Sequence, residues 1–300
     1  MTIKKVTVQK ATVEKARELG FCFGVRRAIQ VVEEAAGRLG ALNTLGPVVH
    51  NQRVVDKLEA LGVKAVGEAG EVSGVVALPS HGAPPQVVAG LKQRGVEVVD
   101  ATCPMVRRAQ KAAHELAAAG FKVVIFGDAQ HPEVRGVLGW AGEEATATLD
   151  AASVSFRRWP KKLGILSQST QNAESFATFV SQLLARALEK ATEVRVVNTI
   201  CHATRERQQA ALELARRSDL MLVVGSFTSA NTRQLARLCS QVAETHQVEG
   251  PQDIELSWLE GKSRVGVTAG ASTPDEAVGE VVARLEELCG AAGGDASGRR

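Results

Sequence analysis

Two patterns of apolar positions alternate along the chain. Short, β-branched apolar runs recur at 75–78, 96–100, 122–127, 163–166, 194–198, 220–226 and 265–268. Between them, segments such as 25–40, 105–120 and 205–218 place apolar residues three and four apart, with charges opposite. The first pattern predicts strands buried on both faces, the second amphipathic helices. Their alternation predicts an α/β fold with mainly parallel sheets.

The chain also repeats itself. Cys22, Cys103 and Cys201 each stand just before one of the amphipathic helices. A polar loop follows at constant distance: His50, His131 and Ser229 each lie 28 residues beyond their cysteine. A second polar strand end follows in each copy, SHGAPP at 80–85, SQST at 167–170 and TAGASTPD at 268–275. One plan used three times predicts three similar small α/β units. They span 1–100, 101–198 and 199–289, and leave 290–300, GAAGGDASGRR, as a disordered tail. Ligands of open α/β sheets bind beyond the carboxyl ends of the strands. Three units set with pseudo-threefold symmetry would therefore bring the cysteines to the centre and ring them with the polar loops.

Composition narrows the function. Of 300 residues, 45% are hydrophobic but only 4% aromatic, with no tyrosine, so Ala, Val and Leu must fill the core. The net charge is +3, and no basic block interleaved with aromatics is present, so nucleic acid is not expected as a partner. No apolar run reaches the roughly 18 residues that span a bilayer, and the N-terminus lacks the apolar segment of a signal peptide. The expectation is a cytoplasmic protein without a membrane partner. Its five cysteines should then be thiols, metal ligands or catalytic groups rather than disulfides.

Cys239 and Cys289 sit beside leucines in helical patterns and read as packing residues. The other three stand at loop-to-helix junctions, in GFCFG, DATCP and NTICHA. There the helix dipole favours a thiolate. Gly20 and Gly24 allow close backbone approach at Cys22, and Pro104 suits a first helical turn. Three soft thiolates far apart in sequence suggest zinc or an iron–sulfur cluster. The paired Cys-x-x-Cys of structural zinc sites is missing. A [4Fe–4S] cluster normally takes four cysteines, so three would leave one iron open to substrate.

His50, His81 and His131, with Ser229, Asn231 and Ser272, lie at predicted strand ends. Helices expected to start near Asn51, Pro84 and Pro274 would add free N–H groups, completing an anion cradle. No P-loop is present, so a pyrophosphate group bound without a P-loop lysine is the better fit. Glu133, two residues after His131, would donate protons if its pKa were raised. Ser167, Ser169 and Thr170 would relay such a proton or cap the next helix.

Taken together, GFCFGVRRAI, VVHNQRVVDKL, SHGAPP, DATCPMV, HPEVRG, SQST, ICHATRERQ, GSFTSANT and VGVTAGASTPD resemble the LytB/IspH family of 4-hydroxy-3-methylbut-2-enyl diphosphate reductases. They run in family order across about residues 20–285. The resemblance implies an iron–sulfur oxidoreductase of the last step of the methylerythritol phosphate route to isoprenoids. Such an enzyme reduces a small allylic diphosphate to isopentenyl and dimethylallyl diphosphate. It implies three α/β units around one [4Fe–4S] cluster, with Cys22, Cys103 and Cys201 as ligands and one open iron. It assigns diphosphate binding to His50, His81, His131, Ser229, Asn231 and Ser272. It makes Glu133 the proton donor, with His131 beside it and Ser169 in its relay. The expected electron donor is ferredoxin or flavodoxin. Two positions depart from the family. Ser169 stands where threonine is common, which keeps the hydroxyl. Ala230 replaces a serine of the anion loop, and one lost neutral hydrogen bond is worth about 0.5–1.5 kcal/mol. A structural zinc protein, a cluster-bearing sensor and a reductase of another small diphosphate are the competing readings.

Overall fold

Twelve strands and nine helices alternate along residues 10–290, the part of the chain that the computed structural model describes. β1 (Thr12–Lys15) and α1 (Phe23–Leu39) lead into β2 (Leu42–Leu45), α2 (Gln52–Ala60), β3 (Val63–Val66), β4 (Val75–Leu78), α3 (Pro85–Gln93) and β5 (Glu97–Asp100). Next come α4 (Pro104–Ala118), β6 (Lys122–Phe126), α5 (Pro132–Ala141), β7 (Thr146–Thr148), β8 (Lys162–Ser167), α6 (Ala173–Ala187) and β9 (Glu193–Val197). The last stretch holds α7 (His202–Ala215), β10 (Leu220–Val224), α8 (Ala230–Cys239), β11 (Glu244–Val248), β12 (Arg264–Ala269) and α9 (Asp275–Gly290).

The strands form three four-stranded sheets, ordered β3-β2-β4-β5, β7-β6-β8-β9 and β1-β12-β10-β11. Every pairing is parallel. All three have one topology: the second strand of a copy pairs with the first, the first with the third, the third with the fourth. In the last sheet that fourth strand is β1, where Thr12 pairs with Arg264. The division into 1–100, 101–198 and 199–289 put this strand in the first unit; its hydrogen bonds put it in the last sheet. By contacts the described chain gathers into two compact units. One holds the stretch up to Cys22, His50–Gln52 and residues from Arg205 on; the other holds Phe23–Val49 and Arg53–Thr204.

Alternate strand residues point to opposite faces, and both faces of the central strands are covered. In β10, Leu220, Leu222 and Val224 pack with Val278, Val281 and Leu285 of α9. Met221 and Val223 pack on the other face with Leu214 of α7 and Leu235 of α8. In the other unit, Val124 and Ile165 meet Phe176, Phe179 and Leu183 of α6, while Ile125 and Leu166 meet Leu116 of α4 and Val137 of α5. Each such side chain contributes about 1.5–3 kcal/mol by leaving water.

Helices α2, α3 and α9 start within a residue of the expected positions. Gly290 is the last residue of α9 rather than the first of a tail, and 291–300 lie outside the described residues. No helix among the described residues is long and apolar enough to cross a membrane.

Candidate functional site

The three expected ligand cysteines occupy equivalent places. Each follows the fourth strand of a sheet, β1, β5 or β9, and precedes a helix. Each donates its amide to the carbonyl two residues beyond the third strand. Cys22 bonds Ala271 at 3.2 Å, Cys103 bonds Ser80 at 2.9 Å, and Cys201 bonds Ser169 at 2.9 Å. All three are half-buried and outside any disulfide. Cys103 is the N-cap of α4, with Pro104 at its first position. Cys239 and Cys289 are buried in the core. Burial pushes the Cys239 thiol up to about 12 and raises that of Cys289 despite a bond with the Ala11 backbone. The fold thus divides the five sulfurs into three soft donors at helix starts and two inert packing groups. That donor set suits an iron–sulfur cluster. Among the described residues no three His, Cys, Asp or Glu side chains are grouped to hold a single metal ion.

In the unit that contains Cys22, the loop before it turns at Gly20, whose φ of 73° is left-handed and favours glycine. Ser229 caps α8, its Oγ accepting the Thr232 amide at 3.3 Å. Asn231 follows in the first turn; it is 8% exposed, and its Nδ2 has no hydrogen-bond partner among the described residues. A buried donor left unmet costs about 1–3 kcal/mol, so this amide favours an incoming acceptor oxygen. Ser272 Oγ donates to the His50 carbonyl at 3.4 Å. Burial, and then the Arg233 guanidinium, hold His50 below its ordinary 6.5. His50 therefore offers a neutral imidazole at neutral pH.

The other unit carries His81, His131, Glu133 and Ser169. His131 caps α5, its Nδ1 accepting the Glu133 amide at 3.2 Å. This use of the Nδ1 lone pair leaves Nε2 to carry the proton and act as donor. Glu133 is 3% exposed. Ser169 donates its amide to Oε1 at 2.6 Å and its hydroxyl to Oε2 at 2.8 Å. Burial raises the Glu133 pKa, and the two Ser169 bonds oppose it without reversing it. Should the carboxyl hold the proton, the hydroxyl contact can reverse, with Ser169 Oγ accepting. His81 lies between Ser80, which binds the Cys103 amide, and Gly82, where a Cβ would strike the Gln110 amide group.

The alternative role for Ser167, Ser169 and Thr170 does not survive. Helix α6 is capped by Asn172, whose Oδ1 accepts the Ser175 amide at 2.9 Å. Ser167 instead bonds the Gln168 carbonyl at 3.0 Å, and Thr170 accepts from Gln168 Nε2 at 3.1 Å. Sequence reasoning missed Arg233 beside His50. It also missed Thr273, whose hydroxyl ties the Ser272 loop to Val224 at 3.0 Å. A polar residue adjacent to a predicted loop ligand was the available signal for Thr273; the charge near His50 left none.

The family described as LytB protein matches residues 13–286. The chain is 48% identical over 278 residues to the 4-hydroxy-3-methylbut-2-enyl diphosphate reductase of Dehalococcoides mccartyi, covering 92% of this chain and 98% of that protein. The enzyme of the same name from Pelobacter propionicus is 44% identical over 275 residues, covering 91% and 97%. A solved structure of (E)-4-hydroxy-3-methyl-but-2-enyl diphosphate reductase, described as the terminal enzyme of the non-mevalonate pathway, superposes with a TM-score of 0.67. It is 34% identical, and the match covers 92% of this chain and 99% of that one. The E-1-hydroxy-2-methyl-but-2-enyl-4-diphosphate reductase from Plasmodium falciparum gives a TM-score of 0.86 at 26% identity, covering 93% and 88%. Likeness over this much of the chain means that it belongs to the LytB protein family.

Proposed function

We infer that the chain reduces 4-hydroxy-3-methylbut-2-enyl diphosphate to isopentenyl and dimethylallyl diphosphate. The allylic C–O bond breaks, a C–H bond forms, and the hydroxyl leaves as water at the expense of two electrons and two protons. The observation that carries this reading is Glu133, a sealed carboxyl with raised proton affinity and both oxygens bonded to Ser169. Such a group suits protonation of a departing hydroxyl.

Cys22, Cys103 and Cys201, one from each repeat, would hold a [4Fe–4S] cluster; when bound, it supplies single electrons and an open iron as Lewis acid. A carrier of the ferredoxin or flavodoxin class would supply the electrons, in the cytosol. We assign the diphosphate to His50, His81, His131, Ser229, Asn231 and Ser272. The donors among them include the unmet Asn231 amide, the Nε2–H of His131 and the neutral His50 ring. Ser169 aligns Glu133 and passes its proton to the leaving oxygen. A second proton completes the new C–H bond.

Glu133→Gln tests this. Turnover with a reduced viologen dye should fall by about 10²–10⁴, with pyrophosphate affinity and the visible spectrum of the anaerobically purified protein retained. Full turnover in that variant removes Glu133 from the reaction.

A further inference from the structure

Each helix that follows a thiol carries an arginine near its start: Arg27 after Cys22, Arg108 after Cys103 and Arg207 after Cys201. These arginines bond backbone carbonyls just ahead of a different cysteine. Arg27 Nη1 donates to Thr102, the residue before Cys103, at 3.3 Å. Arg108 Nη2 donates to Asn198, three before Cys201, at 3.2 Å. Arg207 Nη2 donates to Gly20, two before Cys22, at 2.8 Å. The order is cyclic: the first helix serves the second thiol, the second helix the third, and the third helix the first.

Together with the cysteine amide bonds, these contacts fix every thiol loop at two points. One is a carbonyl ahead of the cysteine, the other the cysteine N–H itself. The contacts differ in strength. Arg207 is 4% exposed and its bond is short, and a charged donor away from water bonds more strongly. Arg27 is half-buried and Arg108 exposed, with longer bonds.

We propose that Arg27, Arg108 and Arg207 are positioning residues, each holding the backbone in front of the next thiol in this cycle. An arginine acting as a charge on the thiol of its own helix would give the opposite assignment, so the two roles separate cleanly. The inference does not rest on what the thiols bind: bare thiols report it, and its failure would leave the proposed reaction standing.

The test is cysteine-resolved alkylation with iodoacetamide. It uses the full-length chain, cluster-free and reduced, with each cysteine followed by mass spectrometry. Arg27→Gln should speed modification of Cys103, Arg108→Gln that of Cys201 and Arg207→Gln that of Cys22. Each rise should be about threefold to tenfold, the range set by losing one hydrogen bond to a charged donor, discounted for exposure. The other two thiols serve as internal controls and should stay unchanged. Arg207→Lys should return part of the protection at Cys22. A response at the thiol of the arginine's own helix, an equal response at all three, or none at all overturns the proposal. If Arg207→Gln does not fold, Arg108→Gln, at an exposed position, decides alone: an unchanged Cys201 rate sinks the idea.

Discussion

Glu133 sets a pH dependence whose sign follows from its burial. An ordinary glutamate releases its proton near 4.5; in the fold, burial raises that value. Above 4.5 the folded chain still binds a proton that the unfolded chain has lost. Its contribution to stability is therefore complete below 4.5 and is lost as pH rises through the folded value. Turnover should decline along the same limb, and Glu133→Gln should flatten it in urea melts taken across the range. His50 acts in the other direction: its contribution is present above 6.5 and is lost as pH falls through its lowered folded value. Ala230 gives a second prediction at this scale. It opens α8 between Ser229 and Asn231. Ala230→Ser should tighten pyrophosphate binding by about twofold to tenfold, the worth of one neutral hydrogen bond, as titration calorimetry would read. The pairing of Glu133 with Ser169 was legible because the repeat marks both the loop that leads through His131 into α5 and the loop that follows β8. The arginines were not legible, because a side chain bonded to a distant carbonyl leaves no period in the sequence.

Helix starts carry much of the proposed site, and one residue there would do two jobs. His131 is both N-cap of α5 and candidate anion donor. Asparagine is a good N-cap but has no imidazole. His131→Asn should hold thermal stability near that of the parent while weakening pyrophosphate binding; His131→Ala should lose both, with about 1 kcal/mol off stability. Equal binding in parent and His131→Asn would leave the histidine only its capping role. At this scale the sequence was readable where burial was two-sided. Central strands β4, β6, β8, β10 and β12 appear as continuous apolar runs because helices cover both faces. Six strands pair on one side only: β5 and β9, with EVVD and EVRVV, keep enough valine to be read, whereas β1, β3, β7 and β11, with TVEK, VKAV, TAT and ETHQV, are too short or too polar to stand out. Strand β2, LNTL, is central yet too short and mixed to stand out.

The repeat was visible in the linear order of cysteines and polar loops, but the owner of β1 was not. Parallel pairing is long-range, and a four-residue segment reveals its partner only in three dimensions. A prediction follows from its place in the last sheet. Deleting the chain through Ala16 should strip amide-exchange protection from β12, its hydrogen-bonded neighbour. Strands β4 and β8, in the other compact unit, should keep theirs. Loss in β2–β5 instead would mean that β1 supports the first sheet.

That pairing also sets a schedule for biosynthesis. On a ribosome β1 emerges first among the described strands, while its partner Arg264–Ala269 emerges last. At about 5–20 residues per second, the early strand waits on the order of tens of seconds for its neighbour. Throughout that delay its backbone donors and acceptors are satisfied only by water or by chance encounters. Strands β2–β9 meet no such delay, since their neighbours are made close behind them. The nascent protein should therefore complete its middle before either flank, and the loop that bears Cys22 should be the last of the three thiol loops to take shape.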